Sequence, residues 1–166
     1  MNRDVLLRRY RLVLGAFIAG LILSGVTAFP LLHELELLAQ ILGIPADAAP
    51  ASQSGLAFWI ATVREGLRAT YAAYPWLAYG TDWLAFGHIT IALFFIGPWR
   101  EPVANAWVLK VGLVACLGVI PLAMICGPIR GIPFYWRLID SSFGIFGALP
   151  LLYCLKLTAR LRGDGQ

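Results

Sequence analysis

The chain has 166 residues, of which 60% are hydrophobic and 13% charged, and its formal net charge at pH 7 is +4. This composition is far more apolar than that of an ordinary soluble domain. The positive charge does not indicate nucleic-acid binding, because the cations flank apolar runs and form neither a basic stripe nor a stacking platform. The sequence therefore predicts an integral membrane protein that binds no nucleic acid.

A basic N-terminal segment precedes the first apolar run. Its arginines are Arg3, Arg8, Arg9 and Arg11, and residues 12–28 are apolar. The same pattern occurs in secretory signals, with residues 26–28 as an alternative cleavage site. The run is longer than the usual signal core, so a retained first span over about residues 12–31 is the prediction. Its small residues (Gly15, Gly20, Ser24, Gly25 and Thr27) predict a surface on which a neighbouring helix packs closely.

The long connection over about residues 32–75 contains two amphipathic patterns. In the first, leucines recur at helical spacing between Leu31 and Leu42, opposite His33, Glu36 and Gln40. A linker rich in proline and alanine follows at 43–53. In the second, apolar residues recur along 56–74, with Arg64, Glu65 and Arg68 on the other face. We predict a short amphipathic helical cap on the extracytoplasmic side, lying on the membrane surface or covering the bundle.

Three further apolar segments cover about residues 76–96, 105–125 and 136–157. Each is close to the roughly 20 residues that a helix needs to cross a bilayer core about 30 Å thick. A short turn is predicted at residues 97–102, with Trp99 at the interface. Pro121 predicts a kink in the third span, and Lys110 is close enough to that span's start for its ammonium group to reach water.

Basic residues beside the span ends predict the orientation. One side carries the N-terminal arginines, Arg100 and three cations at the C-terminus; the other carries fewer, partly offset by acidic residues. The predicted fold class is an all-α membrane protein, an antiparallel four-helix transmembrane bundle with both termini inside. Residues 1–166 form one integral membrane domain, and the predicted location is the cytoplasmic (inner) membrane.

The polar residues of the spans define a candidate site. A charged side chain in hydrocarbon costs at least ~2.5 kcal/mol on insertion scales, so each one needs a physical reason. From the helical rise, Asp82 and Asp140 are expected at similar depth near the outer surface, with His88 near the bilayer midplane. Arg137 and Asp140 are three residues apart and able to pair. The candidate ligand-binding or proton-transfer residues are Asp82, His88, Arg130, Tyr135, Arg137, Asp140 and Ser141.

This cluster has two interpretations. In the structural one, Arg137 pairs with Asp140 at the start of a helix, and Asp82 pairs with Arg130 to hold the loop. In the functional one, the residues line a pocket open to the outer leaflet, which transfers protons or binds the head of a quinone or lipid. The stripe that continues through Gly144 and Gly147 leaves room beneath Asp140 for another helix or a ligand.

The sequence identifies no cofactor and no metal site. A haem held by His33 and His88 is disfavoured, because helix rise separates the two in depth by on the order of 15 Å. Cys116, Cys126 and Cys154 form no C-x-x-C pair, and they are expected to pack as small apolar residues. No metalloprotease, phosphate-loop or serine-nucleophile motif is present. Whether the protein is an enzyme is therefore left open.

Three functions remain compatible with the sequence. The first is a non-enzymatic accessory or assembly subunit of a membrane complex, favoured by the small size, the lack of a catalytic motif and the apolar perimeter. The second is a protein that binds a quinone, lipid head group or haem, with a redox, lipid-modifying or proton-transfer role. The third is a small proton-coupled transporter. The bilayer is the predicted environment, and other membrane subunits are the predicted partners; the sequence does not specify them, the substrate or the oligomeric state.

Overall fold

The structure is a computed structural model that describes residues 2–163. Over this range it is helical, with 85% helix and no strand. The helices are α1 (Arg3–Ala28), α2 (Leu31–Ile41), α3 (Gly55–Ala73), α4 (Tyr79–Phe94), α5 (Ile96–Arg100), α6 (Ala106–Ile129) and α7 (Phe134–Gly163). Short 3₁₀ turns at Pro50–Ser52 and Pro75–Ala78 precede α3 and α4.

Four helical stretches are long and apolar enough to cross a membrane. They are Arg3–Ala28, Pro75–Arg100, Ala106–Ile129 and Phe134–Gly163, with mean hydropathies from 1.3 to 2.4 over their most apolar windows. The second stretch combines a 3₁₀ turn with α4 and α5. The four predicted apolar helices are therefore present as candidate spans; the boundaries at which they would cross a membrane stay a prediction.

The ends of the spans differ from the prediction. The turn expected from residue 97 is helical through Arg100. Pro98 is the third residue of α5, where the backbone N–H of a helix has no intrahelical partner, so its missing donor costs little. Likewise, α6 continues to Ile129 and α7 begins at Phe134. The loop between them is therefore residues 130–133.

Two glycines with positive φ end helices by the same hydrogen-bond pattern. Gly131 has φ +70° and follows α6, where its N–H donates to Pro128 O at 3.1 Å and the Ile132 N–H donates to Gly127 O at 2.9 Å. Gly43, with φ +68°, ends α2 in the same way. Left-handed backbone after a helix favours glycine because it has no Cβ. These two positions set where α6 and α2 stop.

The chain divides into two compact units, each packed mainly on itself. The first unit is Met1–Leu21 with Thr90–Gln166, and the second unit is Ile22–Ile89. Within the first unit, α6 and α7 form the most extensive helix pair. Its buried core is formed by side chains from α1, α6, α7 and the junction of α4 with α5: Leu6, Tyr10, Leu14, Phe95, Leu109, Leu151, Cys154, Leu157 and Leu161.

The second unit has a smaller core between α2 and α3. Ala39, Ile44, Ile60 and Ala61 are each at most 4% exposed. Ile44 directly follows the glycine that ends α2 and packs back on Ala39, as is common at such helix ends. A helix is therefore present at each of the two places where an amphipathic helix was predicted between the first and second candidate spans; that the two helices form a cap stays a prediction.

Candidate functional site

Five of the predicted site residues lie in the first unit, around the loop that joins α6 to α7. Arg130 is the C-cap residue of α6 and is exposed. Tyr135 is 38% exposed in the first turn of α7. Arg137, Asp140 and Ser141 follow within the next two turns. Because Gly131 ends α6 and α7 begins only three residues later, these side chains are held close together along the chain.

Arg137 is positioned by packing. Its stem crosses α6 at Gly127, where a Cβ would overlap the arginine Cγ and Cδ. The guanidinium carbon is 5.1 Å from the centre of the Phe134 ring, a cation–π distance. Its Nε is buried and has no hydrogen-bond partner among residues 2–163. The position of the Arg137 side chain is therefore set by its contacts with the Phe134 ring and with Gly127.

The predicted ion pair between Arg137 and Asp140 is not formed. The ion pair among the described residues joins Arg68 to Glu36 instead. Asp140 is half-buried. Ser141 is 5% exposed, and its Oγ donates to the Arg137 carbonyl at 2.8 Å. That bond satisfies the hydroxyl within its own helix, a common state for serine in an apolar helix. A spacing of three residues therefore permits an ion pair between Arg137 and Asp140, but the pair does not form.

The space predicted beneath Asp140 is filled by α6. A Cβ on Gly144 would overlap the Cys116 carbonyl oxygen, and one on Gly147 would lie 2.9 Å from Cys116 Sγ. One turn further along, a Cβ on Gly112 would come within 3.1 Å of Leu151 Cδ1. The sequence allowed either a helix or a ligand beside the glycine stripe, and in the structure the helix α6 lies there.

The other two predicted site residues, Asp82 and His88, lie in the second unit on α4. Asp82 is in the first turn, where the helix dipole favours a negative charge. His88 Nδ1 is 2.9 Å from the Leu84 carbonyl oxygen. Since a carbonyl only accepts, Nδ1 is assigned as the donor, which leaves Nε2 of a neutral ring as an acceptor.

The helix turn that carries His88 packs against α1. A Cβ on Gly25 would lie 2.9 Å from the Ala85 carbonyl oxygen and 3.2 Å from His88 Cβ. Ala85 and Ala92 are 0% and 1% exposed. The close packing predicted for the small residues of the first span is therefore found at Gly25, whereas nothing lies within 4 Å of a Cβ built on Gly20. The prediction that all seven residues share one pocket stays a prediction.

The histidines and cysteines are the side chains that bear on metal and haem ligation. Among residues 2–163, no three His, Cys, Asp or Glu side chains are grouped as metal ligands. His33 is exposed on α2. Because Nδ1 of His88 faces a carbonyl, only Nε2 of that ring is available to an iron. Cys154 is buried and Cys116 half-buried, in keeping with apolar packing, whereas Cys126 is exposed.

A hydrogen-bonded polar cluster of the second unit was not predicted. Arg64, expected on the polar face of α3, is 3% exposed, and its Nη2 donates to Pro45 O at 2.9 Å. Arg68 donates through Nε and Nη2 to Glu36 Oε1 at 2.9 and 2.7 Å, and through Nη1 to Ala46 O at 3.1 Å. We call these five residues the arginine clamp.

A sequence signal for the clamp existed. Arg64 and Arg68 are four residues apart, so they project from the same side of α3. The linker at 43–53 contains two prolines, each of which supplies a carbonyl but no N–H. Such a segment has more acceptors than donors and is well served by arginine, which has five N–H donors and no acceptor.

The chain was compared with known proteins by sequence and by fold. No protein-family model, no curated protein and no solved structure matches it. Its four apolar helices are compatible with a multi-pass membrane protein.

Proposed function

We propose that the protein is a multi-pass protein of the cytoplasmic (inner) membrane that acts as a non-enzymatic accessory or assembly subunit, and that its α2–α3 pair binds a partner subunit. The observation that carries this proposal is the exposure of large apolar side chains on two helices outside the four candidate spans. The lipid core covers the exposed apolar faces of the spans, whereas α2 and α3 need another apolar surface.

The exposed apolar side chains occur on both helices of the pair. On α2, Leu37 is 51% exposed and Ile41 is 72% exposed. On α3, Leu56 is 43% exposed and Phe58 is 41% exposed. Leu37 and Ile41 are four residues apart and therefore lie on one face of α2; exposed apolar patches are typical of protein or membrane contact sites. Large apolar and aromatic side chains also supply most of the binding energy at subunit interfaces.

The arginine clamp supports a binding role for this surface. It connects α3 to α2 through Glu36 and to the linker through two backbone carbonyls. A surface that is already ordered loses less conformational entropy on binding than a flexible one does. The small core at Ala39 and Ile60 adds apolar packing to the same pair. The α2–α3 pair is thus preorganised to bind a partner.

The proposed topology is an antiparallel bundle with both termini inside. In support, contacts between α6 and α7 pair rising residue numbers with falling ones: Gly112 with Leu151, Cys116 with Gly147, and Gly127 with Arg137. The basic residues at both chain ends favour the cytoplasmic side. C-terminal fusions test this: green fluorescent protein should be fluorescent and alkaline phosphatase inactive. The reverse result contradicts the orientation.

The subunit proposal is tested by purification from native membranes in mild detergent. We expect the chain to migrate in a complex larger than itself, with a partner at fixed stoichiometry. Ile41→Gln should release the partner without altering thermal stability, because the side chain is already exposed. Gln40→Ala, a change at the neighbouring exposed position of α2, is the matched control and should retain it.

Two outcomes contradict the proposal. One is migration of the wild-type chain alone, at its own mass plus detergent. The other is a partner that Ile41→Gln and Gln40→Ala retain equally well, which would place the contact elsewhere on the protein. A photoreactive residue at position 41 adds a direct readout, since it should crosslink to the partner polypeptide; crosslinks only to lipid would indicate that α2 lies on the membrane surface.

A further inference from the structure

The basic end of the first unit contains two adjoining open cavities. Their volumes are about 430 and 330 Å³, and both are lined by Leu7 and Arg11. The first is completed by Asp4, Arg8, Leu12 and Trp99. The second is completed by Arg3, Arg100, Leu161 and the segment 101–104. Guanidinium groups from α1 and from α5 thus converge on one place.

Arg11, the residue common to both cavities, is held by Trp99. Its guanidinium carbon is 5.5 Å from the centre of the indole ring. The indole Nε1 donates to the Arg11 carbonyl at 3.1 Å. Trp99 lies close to α1 where that helix has Gly15, since a Cβ there would be 3.7 Å from Nε1. The side chain of Arg11 is therefore oriented by its surroundings.

The charge of this region is not neutralised by ion pairs. Within residues 2–163, none of Arg3, Arg8, Arg11 and Arg100 forms an ion pair, although Asp4 and Glu101 line the cavities. Four guanidinium groups against two carboxylates leave a positive potential, which favours an anion. Arginine in particular suits phosphate, because its planar fork donates two parallel hydrogen bonds.

The lining also has an apolar part, which distinguishes the expected ligand from a free ion. Leu7, Leu12, Val103 and Leu161 lie beside the arginines. An inorganic anion gains nothing from such side chains, whereas an amphipathic molecule places its head group on the arginines and its chain on the leucines. Tryptophan is enriched at the level of lipid head groups, and Trp99 lines the first cavity.

We propose that these cavities bind the phosphate head group of an anionic phospholipid, with Arg3, Arg11 and Arg100 contacting the phosphate and the leucines contacting the first acyl methylenes. Basic pockets at the cytoplasmic ends of membrane helices bind such head groups. Orientation by the positive-inside rule requires basic residues near the span ends, but it does not require them to converge on a shared cavity. The proposal is independent of a partner at α2 and α3.

The test uses the full chain in detergent and two double variants that remove the same charge. Arg11→Gln/Arg100→Gln alters the cavities; Arg160→Gln/Arg162→Gln alters exposed arginines of α7 that do not line them. Native mass spectrometry measures retention of phosphatidylglycerol against phosphatidylcholine. We expect the wild type to retain phosphatidylglycerol selectively. The cavity variant should bind it roughly 25-fold more weakly, at about fivefold per arginine, and the control less than about threefold more weakly.

Three results would overturn the proposal: equal weakening in both double variants, equal retention of the two lipids, or stabilisation by inorganic phosphate equal to that by phosphatidylglycerol at the same concentration. The first indicates only general surface charge, and the last indicates a free anion. If the double variant fails to fold because the contact of Arg11 with Trp99 is lost, Arg100→Gln alone carries the test. That residue is exposed and is expected to weaken lipid binding about fivefold.

Discussion

The contact between α6 and α7 and the arginine clamp hold helices together by opposite means. At the α6–α7 contact, Gly144 and Gly147 allow the backbone of α6 to approach so closely that a Cβ on either would overlap it or crowd Cys116. In the clamp, long charged side chains reach across a gap to carbonyl and carboxylate oxygens. The first contact depends on the absence of side chains, and the second on their length.

The difference follows from the surroundings of each region. Between apolar helices in lipid, burial of apolar surface adds little, so close packing of small residues supplies the attraction. Outside the spans, the α2–α3 pair has a core with two alanines among its four buried residues and gains stability from hydrogen bonds to charged groups. We therefore expect the first region to be sensitive to added volume and the second to lost donors.

The largest expected effect is that of Gly144→Ala. The added methyl group would meet the carbonyl oxygen of Cys116, a backbone atom that cannot move without shifting α6. We expect a loss of about 2–3 kcal/mol in the free energy of unfolding, as for overpacked cores. The measurement is denaturant unfolding in mixed micelles, followed by helical circular dichroism.

Gly118→Ala is the matched control for that change. Gly118 lies in α6, and nothing is within 4 Å of a Cβ built there. Alanine should leave stability unchanged or raise it by about 0.5–1 kcal/mol, because it is the better helix former. Equal destabilisation by both substitutions would show that helix flexibility, and not close packing, makes Gly144 necessary.

An intermediate effect is expected for Arg64→Met. Methionine has a similar length but no donor, so the Pro45 carbonyl loses its hydrogen bond while the site stays filled. We expect the α2–α3 pair to lose about 2 kcal/mol, within the range for hydrogen bonds to charged groups. Hydrogen exchange of the amides at 43–53 should accelerate, while exchange in α6 and α7 stays unchanged.

Glu65→Gln tests whether Arg64 matters as a buried donor or as a charge on α3. Glu65 is the next residue of the same helix and is exposed. Its neutralisation should leave exchange at 43–53 unaltered. If the amides at 43–53 stay protected from hydrogen exchange in Arg64→Met, the small apolar core alone orders this region. The expectation that the α2–α3 pair depends on hydrogen-bond donors would then be wrong.

The candidate spans were predictable because length and hydropathy alone define them. Their ends were less predictable: residues 97–100 and 126–129 contain glycine and proline, which indicate a turn by composition, yet they continue the helices. Pro98 lies in the first turn of α5, where the backbone N–H groups have no intrahelical partner. Pro128 lies in the last turn of α6 and leaves the Met124 carbonyl without its usual helical donor. Local composition does not reveal whether the backbone N–H groups at a helix end have hydrogen-bond acceptors nearby.

The candidate site was predictable only as a set of residues along the chain. The stripe of Gly144 and Gly147 was visible in the sequence, but which neighbour fills it depends on the pairing of α6 with α7. The pairing of Arg137 with Asp140 was allowed by spacing, but Phe134 and Gly127 place the arginine elsewhere. Arg64 is buried because the linker folds back over it, a tertiary contact that helical periodicity does not encode.

The smallest expected effect is that of Arg68→Gln. Its ion pair with Glu36 is short, at 2.7 Å, but the two side chains are 41% and 33% exposed. Exposed pairs typically contribute about 0.2–1 kcal/mol, so we expect a loss at the upper end of that range, because a bond to the Ala46 carbonyl is lost as well.

The part of the loss that is due to the ion pair should shrink as salt is raised towards 1 M, where the screening length falls to about 3 Å. Hydrogen exchange at 43–53, measured at low and high salt, separates the two contributions. A loss that matches Arg64→Met and does not depend on salt would show that the clamp acts through its carbonyl bonds alone, with Glu36 contributing nothing to the order of α2 and α3.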